Sequence, residues 1–209
     1  YLYIYLNQQT KQLKTIIMKQ LTKYQLNKIS KNLDKWFNLA TKEEIKEGLE
    51  WYKKANDICK DIAQKFNTSE LIGASVISAL SPRNKWEQNI KDAYKVFEAI
   101  EEGKEANDIK VCTFHTNKFK AFEIAKGNKT ISPDAQKTFA FVNNIAHLDN
   151  NFVTTDVWHL RACFNKTMGS CGKLAYNQIQ KLTIKKADKL GLKGFEYQAI
   201  IWASIRNKF

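Results

Sequence analysis

A chain of 209 residues with 44% hydrophobic and 12% aromatic side chains is long enough to bury a sizeable core and too apolar to be disordered. Its formal net charge of +13 and pI of about 9.5 create a positive field that draws phosphate backbones, although Lys, Asn and Ile abound throughout, as AT-rich coding also dictates. Four cysteines with no CxxC pair argue against a disulfide framework or a zinc site, and no apolar run reaches transmembrane length.

In chain order, residues 1–17 (YLYIYLNQQTKQLKTII) are partly apolar but lack the basic start and small-residue cleavage site of a signal peptide. Met18, opening MKQLTKYQ, reads as a start. Residues 1–17 are therefore expected to be a non-native or loosely docked extension preceding one helical domain over 18–209. Ser69 is positioned to cap a helix whose apolar stripe is Leu71, Ile72, Val76, Ala79 and Leu80, and Pro82 should stop it. A second helix carries Trp86, Ile90, Ala93, Phe97 and Ile100 along one face. NKFKAFEIAKG (117–127) reads as a short helix closed by Gly127.

ISPDAQKTFAFVNNIAHL (131–148) opens with Ser132 at an N-cap and Pro133 at the first helical position. TTDVWHLRACF starts another helix with Thr154 or Thr155 at its cap. Two more follow, over about 172–190, ended by Gly191, and over 195–207. No alternating strand of useful length is visible. The expected fold is all-α: a single compact domain of eight to ten short helices. The cysteines read as small core residues in a reducing, cytoplasmic compartment. Cys112 and His115 are close enough to share a metal, but no second pair completes a site, so neither metal nor cofactor is expected.

Only three of the 34 basic residues are arginine, namely Arg83, Arg161 and Arg206. The planar guanidinium grips carboxylate or phosphate at two points, which an ammonium does not, so these positions mark where to look. Arg161 follows five residues after Asp156, an acid at a helix start. Helix capping alone accounts for an Asp there.

Four stretches, taken in order, resemble the helix-hairpin-helix (HhH-GPD) DNA glycosylase superfamily of the endonuclease III type. ISALSPRNKW (77–86) looks like its apolar helix ending in a leucine–serine step before a DNA-facing loop, and NKFKAFEI (117–124) like its lysine–alanine helix. ISPDAQKTFAFV (131–142) lies where the family has its hairpin and a helix that begins with a lysine. VTTDVWHLR (153–161) matches a valine, an aspartate shortly after it, and an arginine five residues further on. The late QAIIWASIR (198–206) is similar to the helix packed behind the family's site. The match covers about residues 70–206.

The resemblance implies two helical lobes with an active site between them, Lys137 as nucleophile and Asp156 as its partner. The chemistry asks for both residue types. Breaking an N-glycosidic bond builds positive charge on the sugar, which a carboxylate stabilises. A neutral lysine amine then attacks C1′, and the resulting Schiff base acidifies the C2′ proton so that the 3′ phosphate can be eliminated. Burial and cationic neighbours are expected to neutralise Lys137, while the helix dipole is expected to keep Asp156 ionised. Arg83 and Asn84 fall in the loop that would enter DNA beside a flipped base, the alternative being a surface turn. Lys118, Lys120, Ser132 and Arg161 are the further DNA contacts implied, the lysines otherwise being solvated. Trp86 and Trp158 would flank the base pocket, or else belong to the core. His147 and His159 read as structural.

The implied partner is DNA, double-stranded with a flipped base or single-stranded, bound by a monomer away from any membrane. The sequence departs from the family at SPDAQ, where a glycine-rich hairpin is expected and Asp134 adds negative charge. The iron–sulfur cysteines of some relatives have no counterpart. A second reading therefore stands beside the enzyme: a nucleic-acid-binding protein that keeps the scaffold without catalysis.

Overall fold

The computed structural model describes residues 20–206 and 208, and all regular structure among them is helical. The expected extension over 1–17 and the start at Met18 lie outside the described residues. Two helices come first, α1 (Lys23–Asn38) and α2 (Lys42–Lys65). Each opens on a capping box, Thr22 with Gln25 and Thr41 with Glu44, in which the threonine hydroxyl and the Gln or Glu side-chain oxygen each accept from an otherwise unpaired amide. Next come α3 (Glu70–Leu80), capped by Ser69 as expected, and α4 (Trp86–Glu101). The loop between them contains Pro82, which has no N–H to continue the helical ladder, and α3 ends just before it at Leu80. A 3₁₀ turn at Ala106–Asp108 leads to α5 (His115–Ala125), after which Gly127 takes φ +78° to turn the chain away.

The remaining helices are α6 (Gln136–Ala146), α7 (Val157–Phe164), α8 (Lys173–Asp188) and α9 (Gly194–Arg206). The start of α6 differs from expectation. Ser132 does not cap a helix: its hydroxyl accepts from the Asp134 amide at 3.2 Å and its carbonyl from the Ala135 amide at 3.0 Å, so 132–135 is a tight turn and α6 starts at Gln136. The short hydroxyl side chain satisfies the turn locally instead of initiating the helix.

Two apolar clusters form the interior. The first joins α2 to α6, with Tyr52, Cys59 and Ile62 against Ile77, Leu80, Phe97, Phe122 and Ile145. The second joins α1, α7 and α8 through Leu33, Trp36, Leu160 and Ile179. Helix α9 belongs to both, giving Phe195 and Ala199 to the first and Tyr197, Ile201 and Ile205 to the second. It is buried nearly all round, as an apolar central helix must be. Its closest partner is α2, where a Cβ added at Gly48 would lie 2.6 Å from the Cα of Ile200. Only glycine permits that approach, which fixes the spacing of two helices that line the same cavity. Among the described residues, no helix is long and apolar enough to cross a membrane.

Candidate active site

Between α2, α4, α6 and α9 lies a cavity of about 240 Å³. Three of the chain's five tryptophans line it, Trp51, Trp86 and Trp202, together with Phe141. The Trp51 ring is 4.9 Å from Trp86, 6.1 Å from Phe141 and 6.3 Å from Trp202, so it forms the centre of an aromatic wall. The faces of such rings favour a flat π system or a cation. Polar groups interrupt the wall: Ser81, Asn84, Asn89, Thr154 and Gln198.

Lys137 and Asp156 both line this cavity, and both also line a second cavity of about 310 Å³ between the start of α6 and the 169–171 loop. The pair therefore stands where two cavities meet. Lys137 sits in the first turn of α6, which no side chain caps, and it is exposed. The burial expected for it is not found, because its long side chain leaves the helix at the cavity mouth. Asp156 is itself the N-cap of α7, in place of Thr154 or Thr155, and its Oδ1 accepts from the His159 amide at 2.8 Å.

Asp156 is open to the cavity on one side and enclosed by protein on the others. Burial raises its carboxyl above the usual carboxylate range, against the opposing pull of the His159 amide, Lys137 and the Trp158 amide. Desolvation thus outweighs the helix-end stabilisation expected for this carboxylate in setting the direction of its shift.

One hydroxyl ties the two segments together. Tyr176 on α8 donates to the Val153 carbonyl at 3.0 Å and reaches the Gln136 carbonyl at 3.4 Å, while accepting from the Thr155 amide at 3.3 Å. It thereby links the residue before Lys137 to the residue before Asp156. Burial pushes the Tyr176 hydroxyl up to about 12, so it stays a neutral donor. His159 is buried and structural. Thr183 donates to the Ile179 carbonyl at 2.9 Å, so the 3.0 Å contact between His159 Nε2 and Thr183 Oγ1 must be donated by the imidazole. Burial lowers this histidine to about 4, which keeps it neutral.

The other sequence-derived positions divide. Asn84 and Trp86 line the cavity, whereas Trp158 does not: it packs against the second apolar cluster, with the Arg161 guanidinium 4.3 Å above its ring. Lys118 is no phosphate contact, since it is buried and donates to the Ile109 carbonyl at 3.0 Å. A buried ammonium requires such a partner, and its position on the inner face of α5 supplies one. Lys120 borders a separate surface hollow with His115, Phe119 and Lys129. Arg83 is exposed in the loop beside the cavity, at φ +58°, a left-handed backbone that costs a non-glycine residue about 1 to 2 kcal/mol. Its guanidinium lies 5.2 Å from the ring centre of exposed Phe114. Ser132 is exposed in its turn, and the neighbouring Asp134 carboxylate is held by Lys173 at 2.7 Å, so the unexpected negative charge is locally balanced. His147 is exposed at the end of α6.

Of the cysteines, Cys59 and Cys163 are core residues, but Cys112 is exposed. Its amide donates to Asp92, which is buried and accepts also from Asn84 and Gln88, each at 2.9 Å. Among the described residues no cluster of His, Cys, Asp and Glu is placed to hold a metal ion.

Sequence reasoning missed Trp51, Tyr52, Gln198 and Trp202 on the cavity wall and Tyr176 behind it. The available signal was that Trp51 and Trp202 each stand on a helix, a large aromatic with a polar N–H. The model of a family described only as a family of unknown function, DUF7178, matches residues 15–209, and the chain belongs to that family. No curated protein and no solved structure matches it.

Proposed function

We propose that this protein is a DNA glycosylase with lyase activity, on a scaffold of the helix-hairpin-helix glycosylase type whose two lobes are the two apolar clusters. It acts as a monomer on DNA from which one base is turned into the aromatic cavity. The observation that carries the reading is the meeting of Lys137 and Asp156 on the wall of that cavity, from chain segments nineteen positions apart.

In this reading Asp156 faces the sugar and stabilises the positive charge that develops as the glycosidic bond lengthens. The Lys137 amine forms a bond to C1′, and the base leaves with the electron pair of the broken C–N bond and gains a proton. The ring opens to a Schiff base. Loss of a C2′ proton then expels the 3′ phosphate, and water hydrolyses the Schiff base to free Lys137. DNA covers Lys137 on binding, which supplies the enclosure the free protein does not give it. Arg83, Lys120 and Arg161 reach phosphates, and the left-handed backbone at Arg83 is strain kept at a functional loop.

Incubation with oligonucleotides bearing single modified bases or an abasic site tests this. Wild type should nick the abasic strand, and Lys137→Ala should not. If the protein binds DNA with a steep salt dependence yet neither nicks nor releases a base, the binding-protein reading replaces this one.

A further inference from the structure

The cavity contains three side-chain amides, Asn84, Asn89 and Gln198, each locked from behind by the protein. Asn84 gives its Nδ2 to Asp92 at 2.9 Å, which leaves Oδ1 as the free end. Asn89, 1% exposed, gives its Nδ2 to the Ile77 carbonyl at 3.1 Å, and its Oδ1 has no partner. A buried carbonyl left unpaired costs about 1 to 3 kcal/mol, so a group that reaches it is rewarded. Gln198 is locked the other way round. The Tyr52 hydroxyl donates to Gln198 Oε1 at 2.9 Å, so Nε2 is left for a ligand.

The lining thus offers two fixed acceptors from the α3–α4 side and one fixed donor from α9, between aromatic rings. At about 240 Å³ the cavity lies below the range of drug-sized sites, roughly 300 to 1,000 Å³, and suits one flat ring system with its sugar outside. We infer that the cavity selects a planar nitrogen heterocycle bearing an exocyclic amino group beside a ring acceptor, read by Asn84, Asn89 and Gln198. Such a base offers two N–H bonds and an acceptor. Hypoxanthine or uracil, once its glycosidic nitrogen is substituted, offers a single N–H and leaves one of the two acceptors unpaired. This rests on reading the cavity as a base site.

The test uses isosteric pairs with the glycosidic nitrogen methylated, so that no extra N–H intrudes: 9-methyladenine against 9-methylhypoxanthine, and 1-methylcytosine against 1-methyluracil. Quenching of the cavity tryptophans reports binding to the full chain. In at least one pair the amino base should bind at least about fivefold more tightly. Gln198→Glu, which keeps the bond from Tyr52 but removes the donor, should lose at least about tenfold in affinity for that base. Asn84→Ala should lose the preference even if the glutamate variant folds poorly. Equal or tighter binding of the oxo bases, wild-type affinity in both variants, or no binding of any of the four would overturn the inference. Base selection with neither base release nor nicking of DNA would keep it and remove the glycosylase reading; base release or nicking without base selection would do the reverse.

Discussion

Helices α6 and α7 begin side by side at the cavity, and they begin in opposite ways. Asp156 caps α7 with a 2.8 Å bond to the His159 amide, an arrangement worth about 1 kcal/mol in ordinary helices. Helix α6 has Ala135 at its N-cap, no side-chain bond, no acid in its first turn, and Lys137 close to its positive end. A cation there costs about 0.3 to 1 kcal/mol. Folding therefore gives a partial reason for Asp156 and none for Lys137. A residue whose local chemistry works against its own helix is where a functional role is to be sought, and the proposed reading gives Lys137 one. Even Asp156 is not free of cost, because burial raises its carboxyl above the ordinary range.

The largest effects should come from separating these two uses. Asp156→Asn keeps an oxygen for the cap and removes the charge, so base release should fall at least about 100-fold. Its stability should rise at neutral pH. The sign follows from the raised carboxyl: the folded state holds the proton more tightly than the unfolded one, so this group costs stability increasingly as pH climbs above the unfolded value of about 3.9. Asp156→Ala should lose the same activity and also about 1 kcal/mol of stability with the cap. Thermal unfolding of the two variants beside wild type distinguishes these outcomes. If Asp156→Asn matches wild type in stability and base release while Asp156→Ala loses only stability, Asp156 is only a cap.

A second effect concerns the helix that Asp156 starts. His159 is neutral in the fold at about 4, against 6.5 for the ordinary imidazole. The unfolded chain binds the proton first, so stability is lost as pH falls from about 6.5 and the loss is complete below about 4. The expected total is about 3 kcal/mol, readable by urea unfolding at pH 7 and pH 4. Asp156 shifts in the opposite sense over the acid range and offsets part of it. A profile that is flat between pH 7 and 4 would contradict the buried neutral histidine.

The smaller effect tests the link between the two helix starts. Tyr176→Phe removes the hydroxyl that holds Val153, Thr155 and Gln136, and should cost about 1 to 2 kcal/mol in stability. As a positioning change it should lower the rate of base release about tenfold while leaving the apparent KM within about twofold. A rise in KM at an unchanged kcat would show that the tyrosine serves binding instead.

Much of the helical order was legible because its punctuation is local. Ser69, Pro82, Gly127 and Gly191 each act on backbone within a few residues and mark boundaries close to those observed. The same signals misled at Ser132–Pro133, where a serine able to cap a helix closed a turn instead. The capping boxes at Thr22 and Thr41 are equally local signals for α1 and α2. Lys137 and Asp156 could be proposed from sequence, but their environments could not. Exposure of one and enclosure of the other depend on how α6, α7 and α8 pack. Trp158 and Trp86 look alike in sequence, each at a helix start, yet only Trp86 turns towards the cavity. The aromatic wall joins Trp51 to Trp202 across most of the chain, through an approach that depends on Gly48. No local pattern announces that.

The most direct measurement is borohydride trapping on an oligonucleotide with a single abasic site, followed by peptide mapping of the adduct. Lys137 as nucleophile predicts a stable covalent complex whose modified peptide contains Lys137, absent in Lys137→Ala and still formed, more slowly, in Asp156→Asn. An adduct mapped to another lysine, or undiminished trapping in Lys137→Ala, would contradict the account.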